Sequence, residues 1–526
     1  MDDIFVITIL RKGGRIFSLP GGGAYSVCNP SVFLKDKELV YNLRKVNYVL
    51  ENHRSGWLKS AFGDCNYHHP CNDMHLRTYN SIFYKGNVYD IDTFAFDKEP
   101  KWDFVGLEDG RLVEWDGKLF LCGCRRDTAE NGQSRMELSE LDVNTWKEIS
   151  RTRIPAPDEN SYCEKNWMPV LDLPYTFVKW SNPTEVVRYD PEKNITETVA
   201  LVEQSPNKTS SPLRDLRGST QVIKVEGKYY SIVHEVDLSY TRYKERSAKY
   251  KHRILCWDEK WNLLRVSESF SFFPHASVEF TCGLSYNLEK SEFIIPFAIM
   301  DGVSYVLTVP ENVFFSFLWS EDIPEKPLSS DSFFIDSPLK ELLFSFLNSP
   351  EDPLAAENLG IFYYESKEYC SAFIFYHIAA ELYLLYQGKS QAYTSFWMCQ
   401  QCLLQMKGRE PNVYTQLFQV VELDPERPEA WFDLALLSFT GARNSTHNET
   451  CAFIEMAQKT KHNWKGYKEC QEDREYFYEC CQLYQALCAY RMCRDYEAKE
   501  ILSELYSKCS NKMKNQIVAD FKFILG

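Results

Sequence analysis

The spacing of apolar residues divides the chain into two parts with different periods. Up to about residue 320, short runs of β-branched and aromatic residues alternate with turns of Gly, Asp, Asn or Pro, which is typical of strands. The clearest runs lie at 27–44, 106–124, 227–234 and 291–296, and the apolar start at 4–10 is predicted as a first strand. Because strand-rich units return about every 50 residues, the pattern predicts the blades of a β-propeller, with a β-sandwich as the alternative.

A connector rich in Pro, Ser, Asp and Phe at 310–338 separates this part from a second one with helical spacing. Amphipathic helices are predicted at 339–347, 355–364, 370–386, 392–406, 413–423, 428–439, 449–458, 474–490 and 495–505. Helix pairs with short loops favour an α-solenoid, and the stretch 420–435 closely resembles a tetratricopeptide helix junction. We therefore expect a multidomain β + α protein, with a propeller at 1–320, a linker at 321–337 and a tetratricopeptide-like helical domain at 338–526.

Charge and cysteine content narrow the function classes. The 526 residues carry a net charge of −15, which argues against a nucleic-acid partner because phosphate contacts need clustered Lys and Arg. No apolar run reaches the roughly 18 residues of a membrane span, and the acidic start is unlike a signal peptide. Eighteen cysteines in a chain of this length predict reduced thiols and a cytoplasmic location.

The turn Gly106-Leu107-Glu108-Asp109-Gly110-Arg111 is the strongest candidate for chemistry. Two adjacent carboxylates and an arginine stand directly before a strand, an Asp-Gly hairpin and a second strand. This arrangement presents an acid and a cation at a loop tip on a rigid scaffold. A β-turn carboxylate that binds its own backbone is the structural alternative for Asp109.

Further polar clusters follow in other turns, at 162–169, 216–220, 233–236 and 300–302, together with Asn29-Pro30-Ser31 and Arg44. In a toroid of strands, such turns meet at one end of the axis. Carboxylates that bind hydroxyls, cations that stabilise an anionic leaving group and an aromatic face together suit a sugar. The residues alone leave structural roles open, namely ion pairs for the arginines, a packed strand position for His234 and a core position for Trp167.

The order of these turns resembles the five-bladed propeller of glycoside hydrolase family 130, the β-mannoside phosphorylases and hydrolases, and the related glycosyltransferase family 108. The family's Gly-x-Glu-Asp-Pro-Arg turn matches Gly106 to Arg111, with Gly110 in place of proline, which implies that Asp109 is the catalytic acid/base. The other matches are Asn29 and Arg44 for the early Asn-Pro and strand arginine, Lys165-Asn166 for a Lys-Asn segment, Arg217 for a phosphate-binding lysine, His234 for a Tyr-His-Gly turn and Asp301 for a late aspartate. Lys179-Trp180 stands where the phosphorylases carry His-Arg. A closer likeness is to propeller modules found beside sugar transferases and tetratricopeptide helices in large glycan-building proteins.

The resemblance implies a site in three roles. The expected catalytic residues are Asp109, Glu235 and Asp301. The expected substrate-binding residues are Asn29, Arg44, Glu108, Arg111, Glu164, Lys165, Asn166, Trp167, Arg217 and His234. No metal or cofactor is expected, because the Cys- and His-containing segment 65–71 lacks the spacing of a zinc site.

These residues favour a carbohydrate-active enzyme that moves a glycosyl group, with glycosyltransferase activity in glycan assembly as the first hypothesis. Its expected partners are a sugar donor, either a nucleotide sugar or a sugar phosphate, and a glycan acceptor. The alternatives are a β-mannoside-type glycoside phosphorylase or hydrolase and a non-catalytic glycan-binding propeller. The helical domain is expected to bind a protein partner or to mediate self-association.

Overall fold

Five β-sheets form the five blades of a β-propeller in the N-terminal part of the chain, and a run of helices follows it. The computed structural model describes residues 4–23, 25–35, 37–52, 65–203, 216–240, 246–442, 445–465 and 471–521. By their internal contacts the described residues fall into two compact units. The first contains those up to Ile374 except 70–72, and the second contains 70–72 and those from Phe375 onward.

The strands have the lengths expected of blades. In chain order they are β1 (Arg15–Ser18), β2 (Ser26–Lys35), β3 (Glu38–Val46), β4 (Val49–Asn52), β5 (Cys65–His68), β6 (Leu76–Tyr84), β7 (Asn87–Asp90), β8 (Phe104–Val105), β9 (Glu108–Trp115), β10 (Lys118–Arg125), β11 (Arg135–Leu141), β12 (Glu148–Arg153), β13 (Met168–Pro169), β14 (Thr176–Ser181), β15 (Thr184–Asp190), β16 (Ile195–Val202), β17 (Arg217–Gly218), β18 (Ile223–Val225), β19 (Lys228–Tyr240), β20 (Arg246–Trp257), β21 (Leu263–Val266), β22 (Glu279–Phe280), β23 (Ser285–Asn287), β24 (Glu292–Ile299), β25 (Val303–Pro310) and β26 (Phe333–Phe334). The four strand-rich runs predicted from the sequence are confirmed.

In each blade the first four strands from the axis outward pair antiparallel. Blade 1 has the order β2-β3-β6-β7, blade 2 is β9 to β12, blade 3 is β13 to β16, and blade 4 is β17-β19-β20-β21. Blade 5 has the order β22-β24-β25-β1-β26, so β1 takes the fourth position from the axis and the two-residue strand β26 forms the outer edge. β1 pairs antiparallel with β25 and parallel with β26, which closes the ring between distant parts of the chain.

The apolar core of the propeller lies between neighbouring blades. Trp115, Trp167 and Phe177 belong to a buried cluster shared by blades 2 and 3. Similar clusters join blade 3 to blade 4, blade 1 to blade 2, and blade 1 to blade 5. Residues that alternate along a strand face opposite neighbours, so blades 1, 2 and 3 each bury apolar residues on both faces.

Gln221 joins four blades at the axis. Its side chain is fully buried in blade 4, between β17 and β18. The amide Nε2 donates hydrogen bonds to the carbonyl oxygens of Val32 in blade 1 (2.8 Å) and Leu112 in blade 2 (2.9 Å). The Oε1 atom accepts from the backbone N–H of Leu284 in blade 5 (3.0 Å). One amide therefore satisfies three backbone groups that the innermost strands leave unpaired.

The prediction of a first strand at the N-terminus is wrong, because residues Phe5–Arg11 form helix α1. The buried residues Phe5, Val6, Ile9 and Leu10 lie on one helical face, since positions four apart are neighbours on a helix. Phe5 stacks on Phe270 with ring centroids 4.1 Å apart. A short apolar run carries little periodicity, so the contact that decides its structure is a distant one.

The remaining helices are α2 (Glu311–Trp319), α3 (Leu339–Asn348), α4 (Pro353–Glu365), α5 (Tyr369–Tyr386), α6 (Lys389–Gln405), α7 (Glu410–Leu423), α8 (Glu429–Phe439), α9 (His447–Lys459), α10 (Gln471–Arg491), α11 (Asp495–Lys508) and α12 (Asn511–Asp520). The nine helices predicted from the sequence are confirmed as α3 to α11, whereas α2 and α12 were not predicted. From α6 onward, consecutive helices pack against each other, as α8 does on α9 and α10 on α11. Their tetratricopeptide character stays a prediction. Among the described residues, no helix has both the length and the apolar character needed to cross a membrane.

Candidate active site

Asp109 stands at the start of β9, the innermost strand of blade 2, and its backbone has a φ of 50°. Its Oδ1 atom accepts hydrogen bonds from Asn29 Nδ2 (2.8 Å) and Arg44 Nη1 (2.9 Å). Both donors belong to blade 1, Asn29 at the irregular part of β2 and Arg44 on β3. The carboxylate is 15% exposed, and its Oδ2 atom forms no hydrogen bond within the described part of the chain. One carboxylate oxygen is thus held and the other is free to meet a substrate.

The surroundings of Asp109 favour its ionised form. Burial raises the pKa of this carboxyl, but the charges of Arg44 and Arg111 and the hydrogen bond from Asn29 act more strongly in the opposite direction. Lys165 adds to their effect, and the pKa lies below its usual value. At neutral pH the free protein therefore presents a carboxylate here, which is a proton acceptor.

Arg44 links this carboxylate to a second one in blade 5. The guanidinium is buried, and its Nε and Nη2 atoms donate to Thr78 Oγ1 at 3.3 and 3.2 Å. Nη2 also lies 3.4 Å from the hydroxyl of Tyr48, which in turn donates to Asp301 Oδ2 at 2.9 Å. A continuous chain of polar contacts thus runs from Asp109 to Asp301.

Asp301 lies in the turn between β24 and β25, with a φ of 48°. Burial raises its pKa and, although Arg44 opposes this, the charge of Asp109 adds to it, so the pKa lies above the usual value of an aspartate. The pKa values of the two carboxyls are therefore moved in opposite directions. Such a pair separates a base from an acid within one site.

Arg111 is fully buried below the turn that carries Asp109. Its Nη1 atom donates to the carbonyl oxygen of Asp109 and its Nε atom to that of Ser219, both at 2.6 Å. Its Nη2 atom lies 3.4 Å from Asn166 Oδ1. The structure therefore places Arg111 and Asn166 as supports that tie blade 2 to blades 3 and 4, out of reach of a ligand.

Three charged candidates have no partner among the described residues, namely Glu108, Lys165 and Arg217. Burial raises the pKa of Glu108, and the nearby cations Arg44 and Lys165 only partly offset this effect. Burial is the largest single effect on Lys165 and lowers its pKa, but Glu108, Cys124 and Asp109 together outweigh it and the pKa lies above its usual value. Lys165 is nevertheless exposed to solvent, so a ligand can reach it. These uncommitted groups are the ones available to a ligand.

Trp167 and Glu164 are committed to the protein interior. Trp167 is 1% exposed within the core between blades 2 and 3, so neither ring face is available to a sugar. Its indole N–H donates to Glu164 Oε2 at 3.0 Å, and Lys179 lies 3.5 Å from the other oxygen of that carboxylate. Trp167 therefore occupies the core position that the sequence analysis left open as its structural role.

His234 and Glu235 are neighbours on β19 and point to opposite faces of blade 4. His234 is buried and shares a 2.8 Å hydrogen bond with Ser219 Oγ, and burial together with His252 and nearby cations holds its pKa well below the usual value. Glu235 pairs with Arg253 at 3.3 Å. Of the expected second carboxylates, Asp301 is therefore the one that shares contacts with the Asp109 group.

His252 gives a test of the propeller's response to acid. It pairs with His234 across β19 and β20, its ring lies beside Phe270 and Phe272, and neither ring nitrogen has a hydrogen-bond partner in the described structure. Burial lowers its pKa to about 3. As the pH falls below about 6.5, His252 therefore takes up a proton in the unfolded chain before it does so in the folded protein. The free energy of unfolding decreases as a result, from its full value above about pH 6.5 towards pH 3.

We expect His252→Phe to remove about 2–3 kcal/mol of the loss in unfolding free energy between pH 7 and pH 4.5. Urea denaturation at the two pH values measures this difference. The exposed His462 provides the control, since His462→Phe should leave the acid response unchanged. An equally steep response in His252→Phe would contradict the assignment.

Residues that the motifs did not single out complete the site. Tyr48 and Thr78 support Arg44, and Arg126 lies close enough to Glu108 to lower its pKa. Tyr48 follows Arg44 by four residues, and no sequence pattern marks such a pair. The described residues contain no group of three His, Cys, Asp or Glu arranged to hold a metal ion.

No protein-family model matches the sequence, and no curated protein matches it. Among solved structures the chain is similar to a β-1,2-mannobiose phosphorylase from Listeria innocua, with 11% identity over 59% of this chain and 100% of that chain and a TM-score of 0.36. It is also similar to a GDP-Man-dependent mannosyltransferase from Leishmania mexicana, with 12% identity over 56% of this chain and 89% of that chain and a TM-score of 0.33. A third similar structure is a glycosyl hydrolase from Bacteroides ovatus, with 12% identity over 58% of this chain and 87% of that chain and a TM-score of 0.37.

Proposed function

We propose that this protein is a carbohydrate-active enzyme that transfers a glycosyl group to a glycan acceptor. The observation that carries the proposal is the state of Asp109, whose carboxylate is held ionised by Arg44 and Asn29 while its Oδ2 atom stays open. A carboxylate in this state takes the proton from the acceptor hydroxyl as that hydroxyl attacks the sugar. Asp109 is therefore assigned as the catalytic base.

The uncommitted cations support a donor that carries phosphate. Arg44 and Arg111 spend their donors on protein atoms, whereas Lys165 and Arg217 have no partner within the described residues. Cations placed in this way stabilise the negative charge that develops on a departing phosphate or diphosphate. A nucleotide sugar or a sugar phosphate is accordingly the proposed donor, and Glu108 is left to accept hydrogen bonds from sugar hydroxyls.

Phosphorolysis or hydrolysis of a β-mannoside-type bond is the second candidate, and Asp301 favours it. Its raised pKa suits a group that gives a proton to a leaving oxygen. In that reaction Asp301 is the acid, and Asp109 orients the phosphate or water that attacks. The two candidate reactions therefore differ in the group that transfers a proton: Asp109 accepts one in glycosyl transfer, whereas Asp301 donates one in phosphorolysis or hydrolysis.

For the helical unit we propose a role in protein binding or self-association, as tetratricopeptide-like helices suggest. A cytoplasmic location is proposed with it. Every cysteine whose side chain the structure describes is a free thiol, in keeping with a reducing compartment.

Saturation-transfer NMR with nucleotide sugars, sugar 1-phosphates and mannooligosaccharides tests the donor class. We expect the wild-type protein to turn over a phosphate-bearing donor, and Lys165→Met to raise the KM for that donor about 10- to 100-fold, as the loss of a charged hydrogen bond does. Lys118→Met is the control, since this exposed lysine lies at the far end of blade 2. Consumption of oligosaccharide without a phosphate-bearing ligand would instead support hydrolysis.

A further inference from the structure

An aromatic platform lies beside the candidate site and is formed by Phe104, Arg126 and Tyr162. The guanidinium of Arg126 lies over both rings, 5.1 Å from the centroid of Phe104 and 6.0 Å from that of Tyr162. Its Nη2 atom donates to the hydroxyl of Tyr162 at 3.2 Å and its Nε atom to the carbonyl oxygen of Gly132 at 3.0 Å. The ring of Tyr162 is held in place although the residue is 49% exposed.

The platform is continuous with the groups assigned to substrate binding. Phe104 in β8 stands four residues before Glu108 at the start of β9, and Tyr162 stands three residues before Lys165. Arg126 acts electrostatically on Glu108 and lowers its pKa, as Lys165 does. The segments that carry Glu108 and Lys165 thus each place an aromatic ring against Arg126.

The next residue fixes the platform to the catalytic turn. Asp127 Oδ2 accepts from the backbone N–H of Gly106 at 3.4 Å and lies 3.5 Å from Arg125, a buried residue that also pairs with Glu137 at 2.9 Å. Gly106 has a φ of 100°, and a side chain there would meet the carbonyl oxygen of Thr78. The turn and the platform therefore hold one fixed relation to each other.

We infer that the platform is a subsite for a second sugar ring, so that the substrate or acceptor of the proposed reaction spans at least two sugar residues. This inference rests on the proposed function. An exposed aromatic face packs on the C–H bonds of a pyranose and buries its apolar side. Arg126 keeps one nitrogen, Nη1, for a sugar oxygen, and Glu108 accepts from a sugar hydroxyl at the border with the first subsite.

A nucleobase is the competing occupant of an aromatic ring beside an arginine. Tyr162 stands three residues before Lys165, the cation assigned to the donor's phosphate. GDP and UDP are therefore included in the test, so that a nucleobase on the platform is distinguished from a sugar ring.

The test compares binding of disaccharides and of their monosaccharides, using β-linked disaccharides of mannose, glucose, galactose and xylose together with GDP and UDP. We expect one disaccharide to bind wild-type protein about tenfold more tightly than its monosaccharide, with saturation transfer to both rings. Tyr162→Ala should reduce its affinity to that of the monosaccharide and remove the transfer to one ring. Tyr162→Phe keeps the ring and should retain most of the gain, and Phe94→Ala, at an exposed aromatic residue in blade 1, should leave it unchanged.

Each other outcome has a separate meaning. Equal binding of the disaccharide by wild type and Tyr162→Ala overturns the subsite and leaves the proposed function standing. Loss of GDP or UDP binding in Tyr162→Ala, with disaccharide binding intact, also overturns it and assigns the ring to a nucleobase. Binding of none of these sugars by wild-type protein overturns the proposed function and the subsite together.

Discussion

Asp109→Asn is expected to lower kcat about 10²- to 10⁴-fold, the contribution of a positioned acid or base. The asparagine Oδ1 atom can still accept from Asn29 and Arg44, and asparagine tolerates the positive φ of this position. Only the basic carboxylate is lost. Turnover of the donor and acceptor found in the ligand screen measures the effect, and the substrate KM should change little.

Asp116 offers a matched control for this substitution. It lies in the hairpin at the other end of β9, in the same blade, and its φ of 52° is close to that of Asp109. Asp116→Asn should leave kcat unchanged. Full activity of Asp109→Asn would exclude this residue as the base, and equal losses in both variants would indicate damage to blade 2 instead of lost chemistry.

Gln221→Leu is expected to reduce the free energy of unfolding of the propeller by at least about 3 kcal/mol, because it leaves three buried backbone groups unpaired at a cost of at least about 1 kcal/mol each. These groups belong to Val32, Leu112 and Leu284, each in a different blade. Gln221→Glu should be at least as damaging, since it places a carboxylate oxygen against two carbonyl oxygens. Urea denaturation followed by tryptophan fluorescence measures both variants.

Gln400 in α6 provides the opposite case. It is also fully buried, yet neither its amide nitrogen nor its amide oxygen has a hydrogen-bond partner in the described structure. Gln400→Leu should therefore leave stability unchanged or raise it. If both leucine variants cost the same free energy, the loss at Gln221 would reflect side-chain shape and not the hydrogen bonds.

The sequence predicts this fold well where a pattern is local. Strand runs ended by turn residues mark the blades, and spacing of three to four residues marks the nine helices, because both signals are read within about 10–20 residues. Local patterns of this kind do not predict the N-terminal helix α1. Its burial depends on Phe270, which is far away in the chain.

The candidate site shows the same limit at the level of side chains. The turn around Asp109 can be found from its residue types, whereas Arg111, in the same turn, is buried and supports the backbone. Charge alone does not distinguish a cation that binds a ligand from one that holds a loop, because the difference lies in which acceptors other blades supply. Gln221 and Tyr48 cannot be identified from the sequence for the same reason, since partners of each lie in other blades.

The pairing of β1 with β25 and β26 has a consequence for synthesis of the protein. Strand β1 of blade 5 ends at Ser18, whereas the last of its partners ends at Phe334, more than 300 residues later in the chain. At a synthesis rate of about 5–20 residues per second, β1 waits roughly 15–60 s on the ribosome for its sheet. During that time the unpaired backbone groups of β1 can pair with strands of other chains. Cells that make this protein should therefore need a chaperone near the ribosome more than its folded stability would indicate.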